Sequence, residues 1–114
     1  MKSLKNKTIV ITGASSGIGE AMAREYAARG ARVVLGARSA EKLERLTDEI
    51  RRAGGAAAWC AADIVRPEEC EALVETAVRE FGGIDVLVCN AGISMRALFD
   101  DVDLDVLHRL MDVN

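Results

Sequence analysis

Thr8-Ile9-Val10-Ile11-Thr12-Gly13-Ala14-Ser15-Ser16-Gly17-Ile18-Gly19 is the stretch that decides how this chain folds. Its first residues form a short apolar run rich in β-branched side chains, which reads as a buried strand. Gly13 breaks that run into a turn. From Gly17 onward the apolar residues recur at helical spacing, through Ala21, Met22, Tyr26 and Ala27. A strand, a glycine-rich turn and a helix N-terminus in that order can seat a pyrophosphate. The glycines let the backbone come close, and the helix end offers unpaired N–H groups with a partial positive charge. The spacing here is Gly-x-x-x-Gly-x-Gly, not the commoner Gly-x-Gly-x-x-Gly, and a tight strand-to-helix loop without any ligand would carry the same glycines.

Length and composition set the limits around this stretch. At 114 residues the chain is at most one domain, 1–114, large enough to bury roughly two-thirds of its unfolded surface. Half the residues are apolar and 29% are charged, which is ordinary for a globular protein and unlike a disordered tail. A net charge of −3 leaves no basic footprint for nucleic acid. With one Trp, one Tyr and two Phe there is little to build a base-stacking surface. The apolar run after Lys7 ends at Thr12-Gly13, too soon for a signal peptide, and no segment is long enough to span a bilayer. Cys60, Cys70 and Cys89 lack metal-ligand or Cys-x-x-Cys spacing. Cys60 and Cys89 lie in apolar strand-like runs and are expected as small core residues of a cytoplasmic protein.

Strands and helices alternate along the chain. The first helix is expected from about Gly17 to Arg29, stopped by Gly30. A strand over Arg32–Ala37 follows, then a helix capped by Ser39, with Leu43, Leu46, Ile50 and Ala53 on one face and Gly54-Gly55 at its end. Ala56–Ala61 is a third strand, assigned mainly from its context. Pro67 opens a third helix, with Glu68 and Glu69 set against the dipole. Its buried stripe is Leu73, Val74, Ala77 and Phe81, and Gly82-Gly83 closes it. A fourth strand spans Ile84–Cys89, and a last helix runs from about Leu104. Such alternation gives an α/β doubly wound parallel sheet, and right-handed crossovers order its strands 3-2-1-4. Ligands bind such sheets outside the carboxyl ends of the strands, at the switch point between strands one and four. Gly13 and Asn90 both fall there.

Four segments together carry a resemblance to a known family. Thr12-Gly13-Ala14-Ser15-Ser16-Gly17-Ile18-Gly19, Asp63-Ile64, Cys89-Asn90-Ala91-Gly92 and Met111-Asp112-Val113-Asn114 occur in the order and at the spacing of the short-chain dehydrogenases/reductases. The resemblance covers the whole chain and implies the Rossmann-type fold of that family, here its amino-terminal half. It further implies that Gly13, Ser15, Ser16, Gly17, Ile18 and Gly19 wrap the cofactor pyrophosphate. In the same way it assigns an adenine contact to Asp63 with Ile64 lining the base, and a nicotinamide-ribose and bracing role to Asn90, Ala91 and Gly92. The plain alternative for Asp63 is a turn residue leading to Pro67, against which stands its place on the expected ligand edge, and for Asn90-Ala91-Gly92 a turn after a strand.

The end of the second strand bears on which dinucleotide is used. Folds that select NAD place a carboxylate there for the adenine-ribose hydroxyls. This chain has Gly36-Ala37-Arg38-Ser39. Arg38 is a permanent cation able to fork onto a phosphate, and Ser39 can donate to the same group. Arg38 could also be a plain surface arginine, but a cation beside a helix N-terminus opposes the dipole unless an anion lies near. Family members with Ala-Arg-Ser at this place use NADP, so NADP is expected over NAD.

One feature departs from the family. Its catalytic groups are a serine and a Tyr-x-x-x-Lys pair, supported by an asparagine on the preceding helix. The one tyrosine here, Tyr26, is followed four residues later by Gly30, and only Asn114 matches the catalytic set. The expectation is therefore an oxidoreductase moving a hydride between NADP(H) and an alcohol/ketone substrate, a small molecule of unspecified class, with this stretch alone inactive. In complete form it is expected to be a homo-oligomer. The contrasting reading is a non-catalytic dinucleotide-binding or interaction module. His108 and the acidic run Asp100, Asp101, Asp103 and Asp105 are given no chemistry, and no metal site is expected.

Overall fold

The structure, a computed structural model, describes residues 4–15, 17–63 and 66–89. The order along the chain is β1 (Thr8–Thr12), α1 (Gly17–Ala28), β2 (Arg32–Ala37), α2 (Ala40–Arg52), β3 (Ala56–Ala61), α3 (Pro67–Phe81) and β4 (Val86–Cys89). The strands form one parallel sheet in the order β3-β2-β1-β4, as the crossover rule requires. Register is continuous across it: Thr12 faces Gly36 on one side and Cys89 on the other, and Ala37 faces Ala61. The carboxyl ends of all four strands therefore share one rim.

Both faces of the sheet are covered, which is why its strands read as unbroken apolar runs. Successive side chains alternate between the faces. Ile9, Ile11, Val33, Leu35 and Ala57 pack with Ala23, Ala27, Leu43, Leu46 and Ile50 of α1 and α2. Val10 and Val34 point the other way and pack with Cys70, Leu73, Val74 and Ala77 of α3. Every residue of β1 is buried.

Ala27 is buried as expected, and several other expectations change in detail. The buried stripe of α1 is Gly19, Ala23 and Ala27; Met22 and Tyr26 are half-buried at its flank and Ala21 is exposed. Small residues at i, i+4 spacing seat this helix on the sheet, so its larger side chains fall to the edge. Ala53 is the exposed C-cap of α2, and Thr47 takes its place among the buried residues. Phe81 is half-buried, and its ring lies 5.8 Å from the Arg32 guanidinium. Cys60 is half-buried rather than in the core, because β3 is the outer strand, while Cys70 on α3 is buried. β4 begins at Val86 and not Ile84, because Asp85 makes a local exchange with β1. Its N–H donates to the Thr8 carbonyl at 2.9 Å, and its carboxylate accepts from the Thr8 N–H at 2.8 Å. The last helix from Leu104, His108, the Asp100–Asp105 run and the Cys89 side chain lie outside the description. Among the described residues no helix is long and apolar enough to cross a membrane.

Candidate functional site

The rim at the carboxyl ends of the strands is assembled by backbone hydrogen bonds converging on β2. The Ala14 N–H donates to the Gly36 carbonyl at 3.1 Å, extending the β1–β2 ladder into the glycine turn. The Ala62 N–H donates to the Ala37 carbonyl at 2.8 Å, bringing the chain after β3 to the same edge. Across β1 the Thr12 hydroxyl donates to the Val88 carbonyl at 3.3 Å, tying the turn to β4. The structure thus brings Gly13–Ser15, Gly17–Gly19, Arg38–Ser39 and Asp63 to one side of the sheet.

The turn has the conformation its glycines imply. Gly13 and Gly17 have φ of +66° and +58°, a region that side-chain-bearing residues rarely occupy. A Cβ built on Gly17 would meet nothing within 4 Å, so the turn faces open space. Ser15 is half-buried and Gly19 buried, while Ile18 stands 70% exposed on the first turn of α1. An apolar side chain so exposed, beside the positive end of a helix dipole, offers a contact to a ligand carrying both a phosphate and an apolar part.

Past β2, Arg38 is exposed, and among the described residues no carboxylate lies within ion-pair distance of it. Ser39 is the N-cap of α2, its hydroxyl accepting from the Lys42 N–H at 3.4 Å. Because the hydroxyl accepts in this bond, its own hydrogen is left for another acceptor. Asp63 is half-buried and starts the turn into α3. Its carbonyl accepts from the Arg66 N–H at 3.0 Å, and its N–H donates to Glu69 Oε1 at 3.0 Å. Glu69, expected only to favour the helix dipole, therefore also holds the Asp63 backbone in place. Ser16, Ile64, Asn90, Ala91, Gly92 and Asn114 lie outside the described residues.

Beside the turn, a cavity of about 390 Å³ is lined by Ser15, Glu20, Arg24, Lys42, Arg45, Leu46 and Glu49. Arg24 on α1 forms ion pairs with Glu20, at 3.0 Å, and with Glu49 on α2. The hydrogen bond from Arg24 pulls the Glu49 carboxyl below its usual range, and Glu49 and Glu20 in return raise the guanidinium. These lining charges were absent from the sequence-based site. Their signal is Lys42 and Arg45 at i, i+3 spacing just after the Ser39 cap, which reads equally as an ordinary solvated helix face.

The donor set fits a dinucleotide: left-handed glycines at a strand-to-helix turn, a helix N-terminus, and a strand-two end bearing a cation and a hydroxyl. Comparisons with known proteins bear on this geometry. The chain is similar to the "Uncharacterized oxidoreductase YxnA" of Bacillus subtilis (strain 168), 44% identical over 114 residues, covering 100% of this chain and 32% of that protein. A metagenomic short-chain oxidoreductase crystallised in complex with NADP superposes with a TM-score of 0.73 at 44% identity, over 81% of this chain and 42% of its own. A short chain dehydrogenase/reductase from Burkholderia phymatum, in complex with NAD, gives a TM-score of 0.73 at 33% identity, over 76% of this chain and 31% of its own. The chain thus spans less than half the length of these proteins. The short chain dehydrogenase family model matches residues 7–114. With its parallel 3-2-1-4 sheet and the glycine turn at the sheet's switch point, the chain belongs to the short-chain dehydrogenase family.

Proposed function

We propose that the protein carrying this chain transfers a hydride between NADP(H) and an alcohol/carbonyl substrate, and that these residues seat the dinucleotide. The observation that carries the NADP reading is Arg38: an exposed guanidinium without a carboxylate partner among the described residues, on the rim that holds the glycine turn. A guanidinium there favours an added phosphate and leaves the ribose hydroxyls of NAD without their carboxylate acceptor. The NADP complex of the metagenomic relative agrees with this reading, and the NAD complex from Burkholderia phymatum shows that the fold itself takes either.

Within the proposal, the turn from Gly13 to Gly19 binds the pyrophosphate through backbone N–H groups, with Ser15 and Ser16 donating hydroxyls. Arg38 and Ser39 hold the 2′-phosphate, and Asp63 and Ile64 contact the adenine. Asn90, Ala91 and Gly92 border the nicotinamide ribose, and Asn114 supports proton transfer at the reacting end. The nicotinamide supplies the hydride when bound; the chain's own part is to bind and orient. On the family resemblance alone, the same reading takes the protein as a cytoplasmic homo-oligomer.

The test is Arg38→Asp, read by the fluorescence of bound NADPH and NADH. The unaltered protein should bind NADPH more tightly, and the variant should reverse the order, by about tenfold or more for loss of a charge-assisted contact and gain of a repulsive one. An unchanged ratio of the two affinities overturns the assignment of Arg38.

A further inference from the structure

The turn after β3 contains a contact that helix capping does not explain. Glu69 is the third residue of α3, which begins at Pro67 behind the N-cap Arg66. A glutamate at that position ordinarily reaches back to the N–H of the cap residue. Here the Arg66 N–H already donates to the Asp63 carbonyl at 3.0 Å. The Glu69 carboxylate instead reaches three residues further back, where Oε1 accepts from the Asp63 N–H at 3.0 Å. Oε2 lies 3.5 Å from Arg66 Nε, so the guanidinium steadies the same carboxylate from its other oxygen. Asp63 is thereby held from both ends. Its N–H is tied to Glu69 and its carbonyl to Arg66, while the Ala62 N–H anchors the preceding chain to the Ala37 carbonyl at 2.8 Å. A residue has only two soft backbone dihedrals. With both of its peptide groups fixed, the direction in which the Asp63 side chain leaves the backbone is fixed as well.

We infer that Glu69 is a positioning residue through which the protein selects a 6-aminopurine. This deepens the reading in which Asp63 contacts the adenine, and rests on it. An ionised carboxylate only accepts hydrogen bonds, so Asp63 suits the exocyclic amine of adenine and opposes the carbonyl oxygen that hypoxanthine carries there. Such discrimination needs direction, because a hydrogen bond weakens steeply once it is bent. Glu69 supplies that direction through the Asp63 backbone alone. Without it the carboxylate still attracts a donor in general, but it no longer separates one purine from the other.

The experiment measures dissociation constants of NADPH and of its analogue with hypoxanthine in place of adenine. The purified protein is compared with Glu69→Ala, Glu69→Asp, Glu69→Gln and Asp63→Ala. The unaltered protein should favour NADPH, and Glu69→Ala should shrink that preference by about fivefold, the scale of one hydrogen bond. Glu69→Asp keeps the charge that suits the helix dipole but lacks the reach, so it should lose the preference too. It carries the test where Glu69→Ala does not fold. Glu69→Gln keeps an acceptor oxygen and should retain the preference. Without nucleotide, amide exchange at Asp63 should quicken in Glu69→Ala and Glu69→Asp but not in Glu69→Gln. If the Ala and Asp variants leave the ratio of the two nucleotides unchanged, or weaken both alike, Glu69 serves α3 alone and the inference is overturned. If Asp63→Ala still removes the preference in that case, the adenine contact of Asp63 stands without Glu69. If the unaltered protein does not distinguish the two nucleotides, the adenine reading of Asp63 fails first and the inference with it.

Discussion

A methyl group on Gly36 would stand 2.5 Å from Cδ2 of Leu73, whose side chain is buried in the α3 face of the sheet. Gly36 is thus bare so that α3 can lie close beneath the rim, while its carbonyl holds the Ala14 N–H of the turn. Gly36→Ala should destabilise the protein by about 1–3 kcal/mol through overpacking, and Leu73→Ala by about 2–5 kcal/mol through the cavity it leaves. The double variant should cost less than the sum, because each change relieves the other. Denaturant unfolding of the three variants checks this, and strict additivity would contradict the contact. Nearby, Ser39→Ala should cost about 0.5 kcal/mol, the low end for an N-cap, since its bond to the Lys42 N–H is long at 3.4 Å. A loss of unfolding free energy above about 2 kcal/mol in urea titrations would mean that the hydroxyl has another structural role.

Between elements, α1 and α2 are joined by Arg24, which reaches Glu49 across the cavity. The guanidinium lowers the Glu49 carboxyl, so the pair stabilises the folded state above the unfolded Glu value of about 4.3. That contribution is complete at neutral pH and drains away as pH falls through the lower folded value. Glu49→Gln should therefore unfold earlier than the unaltered protein at pH 7 in low salt. The two melting curves should converge once the pH lies below that lowered value, and also in high salt, since both side chains are partly exposed. A gap that persists in acid would show that packing, not charge, sets the effect. The helices were readable from their punctuation: Ser39 as cap, Pro67 as first helical residue, and Gly30 and Gly82 in the left-handed region at helix ends. Their inner faces were less so. Hydrophobicity points to Met22 and Tyr26 in α1, but the sheet admits Gly19, Ala23 and Ala27 there, and this preference for small volume is invisible without the partner surface.

For the molecule as a whole, the strand order and the rim followed from alternation and chain crossover, because every strand is parallel and each turn is short. The start of β4 did not, since Asp85 satisfies Thr8 through its side chain as well as its backbone, and an apolar run carries no sign of such an exchange. The cavity charges escaped for a related reason: Arg24 and Glu49 are 25 residues apart and meet only once α1 and α2 lie side by side on one face. Ligand binding should register at this scale too. A dinucleotide that binds only the folded state stabilises it by about 2.7 kcal/mol at a hundred times its dissociation constant. At equal concentration NADPH should raise the melting temperature more than NADH, and Arg38→Asp should invert that order without lowering the ligand-free melting point. Equal shifts with both nucleotides would count against the phosphate assignment.

The carbonyls of Gly36 and Ala37 moor the loops on either side of β2. Neither mooring depends on which side chains follow at positions 38 and 39. Those two residues can be exchanged while the glycine turn stays where it is. Under the proposed cofactor seat, point changes at those two positions are then enough to trade one nicotinamide nucleotide for the other, with no rebuilding of the scaffold.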